Sequence, residues 1–327
     1  MNFPSARFRL ISGLLVLTCV AVLSSCDMQT QALKVSAHPW PGYELLYLAR
    51  NEGWLSTSQI DLIATNSATE SLQALADGKV DAAALTLDEV LRARAEGTPL
   101  TVVLVVDESA GADALYVRPE INQLTDLAGK RIGVEDGAVG TILLAKVLEI
   151  AGLEESAVSI VPVAIDGQLA SWKAGKLDAV ITYEPIATQL DGLGAKRLFD
   201  TRSAPNLIFD VIAVRSEIVE NQAHSNQLRH LLQAHFRALD HLRSKPQDAA
   251  FRMAGRLGLT GQEVLAAFRE LELPGWHENQ RYLAGEDGGI VPHAAALADI
   301  LTAKGMLTKA SDIHGLVSND YLPKQDR

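Results

Sequence analysis

Two stretches of the sequence, LADGKVDAAALT at residues 75–86 and WKAGKLDAVITY at residues 172–183, repeat one pattern at an offset of 97 positions. In each, a glycine and a lysine are followed by an apolar residue, an aspartate and an alanine. Glycine commonly ends a helix, and small apolar residues are typical of a strand that packs closely within a buried parallel sheet. The repeat therefore predicts two lobes, each with a helix that leads into an inner strand.

The same order of elements is predicted around each copy. In the first lobe, hydrophobic patterns predict strands at 33–36, 60–64 and 80–85 and helices at 43–52 and 69–76. In the second, they predict strands at 130–135, 159–163 and 177–182 and helices at 142–151 and 168–174. We therefore predict an α/β protein with two lobes, each a mostly parallel β-α-β-α-β sheet flanked by helices.

A second echo lies at the edges of the second lobe. Asp113-Ala-Leu-Tyr-Val-Arg118 and Asp210-Val-Ile-Ala-Val-Arg215 share an aspartate, a valine and an arginine at equal spacing. We interpret them as strands that cross between the lobes and pair as a two-stranded hinge, the alternative being chance similarity of two amphipathic strands. The predicted boundaries are 33–112 with 216–327 for the first lobe and 113–215 for the second.

The chain after residue 215 has a helical pattern. Apolar residues recur at helical spacing from Leu228 to Leu242, and Thr260 with Glu263 has the spacing of a capping box. We expect these C-terminal helices to cover the first lobe. The histidines at 230, 235 and 241 are five and six positions apart, so they do not share a helix face, and no metal site is predicted there.

Residues 1–25 have the pattern of a lipoprotein signal peptide. Arg7 and Arg9 precede an apolar run that is too short to span a bilayer comfortably. The run ends in Leu-Ser-Ser-Cys26, which resembles the bacterial lipobox, so Cys26 is the expected lipidation site and residues 26–32 a tether. An ordinary secretory cleavage site with an incidental cysteine is the alternative.

The leader also predicts where the protein is found. Asp27 follows the expected lipidated cysteine, and in similar bacterial lipoproteins this favours retention at the inner membrane. We expect the periplasmic face of the inner membrane, or the cell surface in an organism with no outer membrane. The membrane would be contacted through the lipid anchor only, and a monomer is expected.

Composition excludes several classes of function. The net charge is −11, and it becomes −13 once the leader's two arginines are removed, which disfavours nucleic acids and anionic lipid surfaces as partners. The second cysteine, Cys19, lies in the leader, so the mature chain would have no disulfide and no thiolate metal site. No cofactor is predicted.

Several phrases together resemble one family, the substrate-binding proteins of ABC importers, and within it the nitrate/sulfonate/taurine and thiamine-pyrimidine-precursor group. They are Trp40-Pro-Gly-Tyr with Leu-Ala-Arg50-Asn-Glu-Gly53, residues 75–82, Asp126-Leu-Ala-Gly-Lys-Arg-Ile-Gly133, residues 175–179 with Tyr183-Glu-Pro185, and Leu239 with Lys245-Pro-Gln-Asp-Ala-Ala. The resemblance implies a type II-like periplasmic-binding-protein fold. It also implies a protein that closes around a small solute and delivers it to a membrane permease and its ATPase.

Ligands of open α/β sheets bind beyond the carboxyl ends of the strands. The ligand-binding residues expected there are Trp40, Tyr43, Ser67, Thr69, Thr86, Asp88, Asp107, Gly140, Thr141, Tyr183, Glu184 and Asp210. The resemblance supports Trp40, the residues heading the second helix, Gly140-Thr141 and Tyr183-Glu184, and the others follow from position alone.

Four of these expectations have structural alternatives. Trp40 could serve only to pack a turn, without contacting a ligand, and Ser67 and Thr69 could serve only to cap a helix. Gly140 with Thr141 could shape a turn or hold an oxyanion on helix-start amides. Glu184 could be no more than a charge at the start of a helix.

The expected ligand loops are acidic. They carry Asp88, Asp107, Glu108, Asp136, Glu184 and Asp210, whereas His38 is the one side chain there that could be positive. A buried anion usually has an arginine or lysine partner, so we expect a ligand with an amine, amidine or aminopyrimidine group, either as a plain cation or as a zwitterion. Helix-start amides could instead hold nitrate or a sulfonate.

Two other functional classes are considered. Pyrimidine synthases share the fold but carry a cysteine-rich motif, which the mature chain lacks, and no hydrolase, zinc-protease or phosphate-loop motif is present, so an enzyme is not expected. A ligand-binding subunit that signals to a membrane sensor fits the sequence as well as an importer component does.

Overall fold

A computed structural model describes residues 31–135, 139–221, 224–285, 288–307 and 312–324. The predicted leader, Cys26 and Asp136 lie outside these residues. The strands are β1 (Leu33–Ala37), β2 (Ile60–Ala64), β3 (Ala82–Thr86), β4 (Leu100–Ser109), β5 (Ala114–Val117), β6 (Arg131–Val134), β7 (Ser159–Pro162), β8 (Ala179–Thr182), β9 (Lys196–Asp200), β10 (Phe209–Arg215) and β11 (Leu271–Glu272).

Twelve α-helices are assigned within the described residues. They are α1 (Glu44–Asn51), α2 (Ala68–Ala76), α3 (Leu87–Ala95), α4 (Val139–Ala151), α5 (Ile165–Lys173), α6 (Ile186–Asp191), α7 (Ser216–Glu220), α8 (Ser225–Ser244), α9 (Pro246–Leu257), α10 (Gly261–Phe268), α11 (Trp276–Tyr282) and α12 (Val291–Ala303). In the described part of the chain, no helix has both the length and the apolar character needed to cross a membrane.

The strands form two sheets, as the repeat predicted. The first sheet has the order β11-β4-β10-β3-β1-β2, and the second has the order β7-β6-β8-β5-β9. The three strands of each predicted unit pair in parallel, β2-β1-β3 in one lobe and β7-β6-β8 in the other. The predicted β-α-β-α-β order is therefore confirmed in both lobes.

The repeated glycines end their helices as predicted. Gly78 and Gly175 both have a φ of 68°, a left-handed conformation that glycine adopts without steric cost. The aspartate three residues later has the same role in each copy. Asp81 Oδ2 accepts the backbone N–H of Lys34 at 2.8 Å, and Asp178 Oδ2 accepts that of Arg131 at 2.9 Å. Both aspartates therefore join two neighbouring strands at the end of the sheet that we call the outer end.

The arginines of the second echo also lie at the outer ends. Arg118 donates from Nη2 to the Trp172 carbonyl at 2.6 Å and from Nε to the Leu177 carbonyl at 3.1 Å. Arg215 donates in the same way to the carbonyls of Leu75 and Val80. Each arginine thus satisfies carbonyl groups around the end of the helix that precedes the inner strand.

The echoing strands do not pair with each other, contrary to the expected two-stranded hinge. β5 runs antiparallel to β8 and β9 in the second sheet, and β10 runs antiparallel to β3 and β4 in the first. β5 pairs with β8 and β10 pairs with β3, the third strand of each parallel unit. Each thereby covers a strand edge that would otherwise be unpaired. Residues 209–215, placed in the second lobe by the predicted boundaries, therefore belong to the first sheet.

The chain crosses between the sheets at residues 110–113 and 201–208 instead. Thr201 connects these two segments, because its hydroxyl accepts the Gly111 N–H at 2.7 Å and lies 2.8 Å from the Ser109 hydroxyl. The Thr201 N–H also donates to the Asp113 carbonyl at 3.1 Å. We refer to residues 110–113 and 201–208 as the hinge segments.

The C-terminal helices cover the first sheet, as expected. Leu228, Leu231 and Leu232 of α8 are buried in the same core as the strands of the first sheet. The second sheet has its own cores, one formed with Leu143 and Val147 of α4 and the other with Trp172 of α5. This arrangement places the carboxyl ends of both parallel units around one small cavity.

Candidate functional site

A cavity lies at the ends of the strands opposite the outer ends, and we call it the central cavity. Residues of both lobes line it: His38, Trp40, Ala68, Thr86, Glu89, Asp113, Val139, Tyr183 and Asp210. The space open to the centre of a water-sized sphere is about 20 Å³. This is room for one or two water-sized groups, which describes a cleft closed down to a small interior space.

Neighbouring strands of the first sheet bring the polar side chains of His38, Thr86 and Asp210 to the cavity. In the register of the sheet, Asp210 at the start of β10 is opposite Thr86 at the end of β3 and opposite Asp107 on β4. His38 follows directly after β1. The carboxyl ends of β1 and β3 therefore meet the amino end of the antiparallel β10, and this clusters the polar groups.

Aromatic side chains hold two of these aspartates. Trp40 donates from Nε1 to Asp107 Oδ2 at 3.1 Å, and Tyr43 donates from its hydroxyl to Asp210 Oδ1. The Trp40 ring also meets the Tyr183 ring edge-on, with ring centroids 5.6 Å apart and planes at 81°. Tyr183 belongs to the second lobe, so this contact closes the cavity from both sides.

The buried carboxyl groups at or beside the cavity include those of Asp88, Glu89, Asp107, Asp113 and Asp210, none more than 3% exposed. Burial raises the pKa of Asp88 to about 6 and those of Asp107 and Asp113 to about 7. Burial also raises the pKa of Glu89 and of Asp210 well above the usual range, and neighbouring aspartates add to both shifts. The site therefore concentrates acidic groups that water does not solvate.

His38 does not offset this charge. Burial, helped by the Arg256 charge, lowers the pKa of His38 to about 3, so its imidazole is neutral at physiological pH. Arg256 itself bonds Glu44 at 2.7 Å and the Ala37 carbonyl at 3.0 Å, and it does not line the cavity. Among the described residues that line the cavity, none is a lysine or an arginine.

Glu135 bridges the two lobes beside the cavity. It follows β6 in the second lobe and accepts the Thr69 hydroxyl of the first lobe at 3.2 Å. Its other oxygen accepts the Tyr183 hydroxyl at 3.1 Å. Burial raises the pKa of Glu135 above its usual value. The bond between Thr69 and Glu135 joins residues of different lobes, so it can form only when the lobes are together.

Four of the twelve residues that the sequence placed at the site line the cavity, and two more form hydrogen bonds with lining residues. Trp40, Thr86, Tyr183 and Asp210 line the central cavity, and Tyr43 and Asp107 hold lining groups from behind. Thr69 does not line it but makes the bridge to Glu135. Their role in binding remains a prediction.

Other predicted residues have structural partners instead. Ser67 caps α2 by accepting the Glu70 N–H at 3.2 Å, and Glu184 accepts the hydroxyl of Thr188 at 2.9 Å. Gly140 and Thr141 were expected in a loop but lie in α4. A Cβ at residue 140 would come within 2.9 Å of Val134 Cγ1, so close packing explains that glycine. None of these four lines the central cavity.

Asp88 was expected on a loop and is instead the second residue of α3. Its neighbour Glu89 lines the cavity, which the sequence analysis missed. The signal was present, because Thr86 and Glu89 have capping-box spacing and the Glu89 carboxylate accepts the Thr86 N–H at 2.8 Å. Asp113 was assigned to the hinge and not to the site. No sequence pattern distinguished Ala68, Val139 and Glu135 as site residues.

Metal binding does not explain the acidic cluster. In the ranges that the structure describes, no group of three or more histidine, cysteine, aspartate or glutamate side chains has the arrangement of a metal site. The acidic groups are therefore considered as partners for an organic cation or for hydrogen-bond donors.

Comparison with known proteins gives consistent results. The family model described as "NMT1/THI5 like" matches residues 40–249. The taurine-binding periplasmic protein of Escherichia coli is 27% identical over 211 residues, which cover 62% of this chain and 65% of that protein, just under two thirds of its length. These matches confirm the group of substrate-binding proteins that the sequence motifs resemble.

Solved structures confirm the fold. The alkanesulfonate-binding protein SsuA of Xanthomonas axonopodis pv. citri, bound to MOPS, has a TM-score of 0.73 at 19% identity, with 89% of this chain and 99% of that chain covered. Escherichia coli SsuA has a TM-score of 0.73 at 18% identity, with 90% and 99% covered. The desulfurization enzyme DszB also shares the fold, at a TM-score of 0.65, 19% identity and 89% and 97% coverage, so the fold by itself does not separate binding from catalysis.

Proposed function

The chain belongs to the NMT1/THI5-like family, and on that premise we propose that it is the solute-binding component of an ABC importer. It would capture a small amine- or pyrimidine-containing solute between its two lobes and release it to a membrane permease. Such a protein binds its ligand without changing it, so we propose a receptor and not an enzyme.

The central cavity is the observation that carries this proposal. It lies where the carboxyl ends of both parallel units face each other, which is where ligands of open α/β sheets bind. Its lining comes from both lobes, so a ligand held there would contact both only when they are together. This is the geometry expected of a receptor that closes around its ligand.

The charge of the lining supports a cationic or zwitterionic solute. Glu89, Asp113 and Asp210 line the cavity without a lysine or arginine beside them. A wholly anionic solute such as nitrate would find no positively charged side chain among these lining residues. A cation would instead favour the ionised form of their carboxyl groups, whose pKa values burial raises. The similar Escherichia coli protein is named for taurine, which carries both an ammonium and a sulfonate group.

The lobes would close because the ligand binds the closed state more tightly than the open state. The cavity is lined by both lobes and has room for only one or two water-sized groups, so the lobes would have to separate for a complete solute to enter. The hinge segments are short and joined through Thr201, which allows the lobes to rotate about them. A ligand that contacts both lobes would stabilise the closed state relative to the open one.

The location and partners are part of the proposal. The leader with its lipobox-like Cys26 supports export and lipid anchoring on the periplasmic face of the inner membrane. An importer of this kind requires a permease, which would accept the solute from the closed receptor, and an ATPase.

Calorimetric titration tests the proposal. The purified protein is titrated with a panel of amines, amino-pyrimidines, alkylsulfonates and nitrate, and we expect saturable binding of an amine or a pyrimidine. Small-angle scattering with the tightest compound is expected to show compaction on saturation. Tight binding of nitrate or of a simple alkylsulfonate would contradict the proposed ligand class, and chemical turnover of the bound compound would contradict a receptor.

A further inference from the structure

Three groups that line the central cavity have a buried polar atom without a hydrogen-bond partner. They are Nδ1 of His38, Oγ1 of Thr86 and Oδ2 of Asp113, and each residue is at least nine-tenths buried. Buried polar atoms are nearly always paired, because an unpaired one loses its bonds to water without compensation. Three such atoms around one small space indicate that a ligand supplies their partners.

All three atoms can accept a hydrogen bond. The Asp113 carboxylate is an acceptor, and the Thr86 hydroxyl has lone pairs to offer. His38 is neutral because burial lowers its pKa to about 3, so Nδ1 accepts when the ring proton is on Nε2. One ligand group can therefore serve all three atoms if it is a donor that presents several N–H or O–H groups within a very small volume.

A primary ammonium group meets these requirements. It carries three N–H donors on one nitrogen and a positive charge, which favours the ionised form of the neighbouring Glu89 and Asp210 carboxyl groups. Its size is close to that of a water molecule, so it fits a space of about 20 Å³. A trimethylammonium group has no N–H donor and a much larger volume, and it satisfies neither condition.

The aromatic rings argue against a flat ring in this position. Trp40 and Tyr183 meet edge-on at 5.6 Å, and His38 and Tyr43 meet edge-on at 5.2 Å, so neither pair leaves a parallel gap in which a pyrimidine could stack. The rings form an apolar wall around the cavity, which strengthens the attraction between ionised carboxyl groups and a cation.

We propose that the central cavity binds the primary ammonium group of the solute, whose three N–H bonds donate to His38 Nδ1, Thr86 Oγ1 and Asp113 Oδ2. This inference rests on the proposed receptor function and narrows it to solutes with an unsubstituted amine. The remainder of the solute would lie toward the opening between the lobes.

A methylation series tests the inference. Taurine, ethanolamine and ethylamine are titrated into the purified protein by calorimetry, followed by the N-methyl, N,N-dimethyl and N,N,N-trimethyl forms of the tightest binder. We expect affinity to fall with each methyl group, by about tenfold or more for each donor removed. Equal or tighter binding of the trimethyl form would overturn the inference.

The outcomes separate the inference from the receptor function. If no primary amine binds but an amino-pyrimidine or an amine-free sulfonate does, the ammonium assignment is wrong and the receptor function stands. If no compound of the wider panel binds, both are rejected. If a primary amine binds and its methylated forms do not, both are supported.

Variants test two of the three acceptors. Thr86→Val removes the hydroxyl at nearly constant volume, and it is expected to weaken primary-amine binding about tenfold while Thr86→Ser restores it. Asp113→Asn removes the charge and should weaken binding by a hundredfold or more. Thr302→Val is the matched control, because its hydroxyl bonds only Ala298 within α12.

The ratio of primary-amine to dimethylamine affinity is the decisive readout. Loss of a specific acceptor lowers the affinity for the primary amine more than that for the dimethyl form, so the ratio falls. Equal weakening of both compounds would show that these residues act only on the fold, and it would overturn their assignment as ammonium acceptors.

Discussion

The two ends of the duplicated lobes have diverged to different degrees. At the outer ends the copies are nearly identical, since Asp81 and Asp178 each accept a strand N–H, and Arg215 and Arg118 each donate to carbonyls around a helix end. At the cavity ends, the equivalent positions differ. Thr86 in the first lobe corresponds to Tyr183 in the second, at the same offset of 97 positions.

One pair of residues at the cavity is nevertheless retained from the duplication. Asp113 and Asp210 begin the two echoing segments, and both line the central cavity. Because the echoing strands β5 and β10 complete different sheets, the duplication brings one aspartate from each lobe to the same space. The outer ends therefore preserve the fold, and the cavity ends combine a shared acidic pair with side chains that differ between the lobes.

The largest expected effect separates the two kinds of aspartate. Asp210→Asn should weaken binding of a primary amine about a hundredfold, because an amide cannot ionise to balance the charge of a buried ammonium group. Asp178→Asn, at the outer end, should leave that affinity unchanged. Calorimetry on both variants measures this difference, and an equal loss of affinity in both would contradict the division between the outer and cavity ends.

Removing an outer-end arginine is expected to have the next largest effect. Arg118→Met and Arg215→Met should each lower the free energy of unfolding by about 2–3 kcal/mol, since two carbonyls lose a charged donor. Denaturant unfolding measures this. Arg281→Met is the control, because Arg281 is exposed and its bridge to Glu278 is 3.4 Å long, so its loss should cost about 0.5 kcal/mol or less. Unequal losses at the two equivalent arginines would show that the lobes differ at their outer ends too.

Two of the buried aspartates also predict how stability depends on pH. Asp107 and Asp113 have folded-state pKa values of about 7, well above their unfolded values near 4, so the folded protein holds more protons between these limits. Raising the pH from 6.5 to 8 should therefore lower the stability of the ligand-free protein by about 1–2 kcal/mol.

Histidine does not reverse this trend. The pKa values of His38 and His235 are lowered to about 3, so these histidines favour folding as the pH rises through 6.5 and the unfolded histidines lose their charge. Between pH 6.5 and 8 they offset about half of the loss caused by the carboxyl groups, which leaves a net loss of about 1 kcal/mol. Thermal melts at the two pH values check the prediction, and a saturating primary amine should reduce the difference. A higher melting temperature at pH 8 in the ligand-free protein would contradict it.

The smallest expected effect concerns the bridge between the lobes. Thr69→Val removes the 3.2 Å bond to Glu135 without changing the cavity lining. Affinity for the ligand should fall only about threefold, because a partly exposed hydrogen bond contributes little. Calorimetry measures this change in affinity. A loss as large as that of Asp210→Asn would show that Thr69 itself contacts the ligand.

Much of the fold could be predicted because its signals are local. Gly78 and Gly175 mark two helix ends, and the apolar runs that follow them become β3 and β8. The partner of an added strand is not a local property. The segments that begin at Asp113 and Asp210 look alike in sequence, yet they join different sheets, and only the three-dimensional arrangement of open sheet edges decides this.

The site was predictable to a similar extent. Trp40, Thr86, Tyr183 and Asp210 follow or begin strands, so the rule that ligands bind at strand ends located them. Glu184 could not be excluded in advance, because its neighbour Thr188 satisfies it only once α6 has formed. Glu135 was missed because its importance depends on Thr69, 66 positions away in the other lobe.

The order of the strands has a consequence for folding. All five strands of the second sheet, β5 to β9, are contiguous in the chain, whereas β4 and β10 pair across everything between them. The second lobe is thus an insertion that can fold from local contacts alone, and once folded it brings residues 109 and 209 close together. Pairing β4 with β10 would then cost the entropy of closing a short loop instead of one that spans nearly a third of the chain.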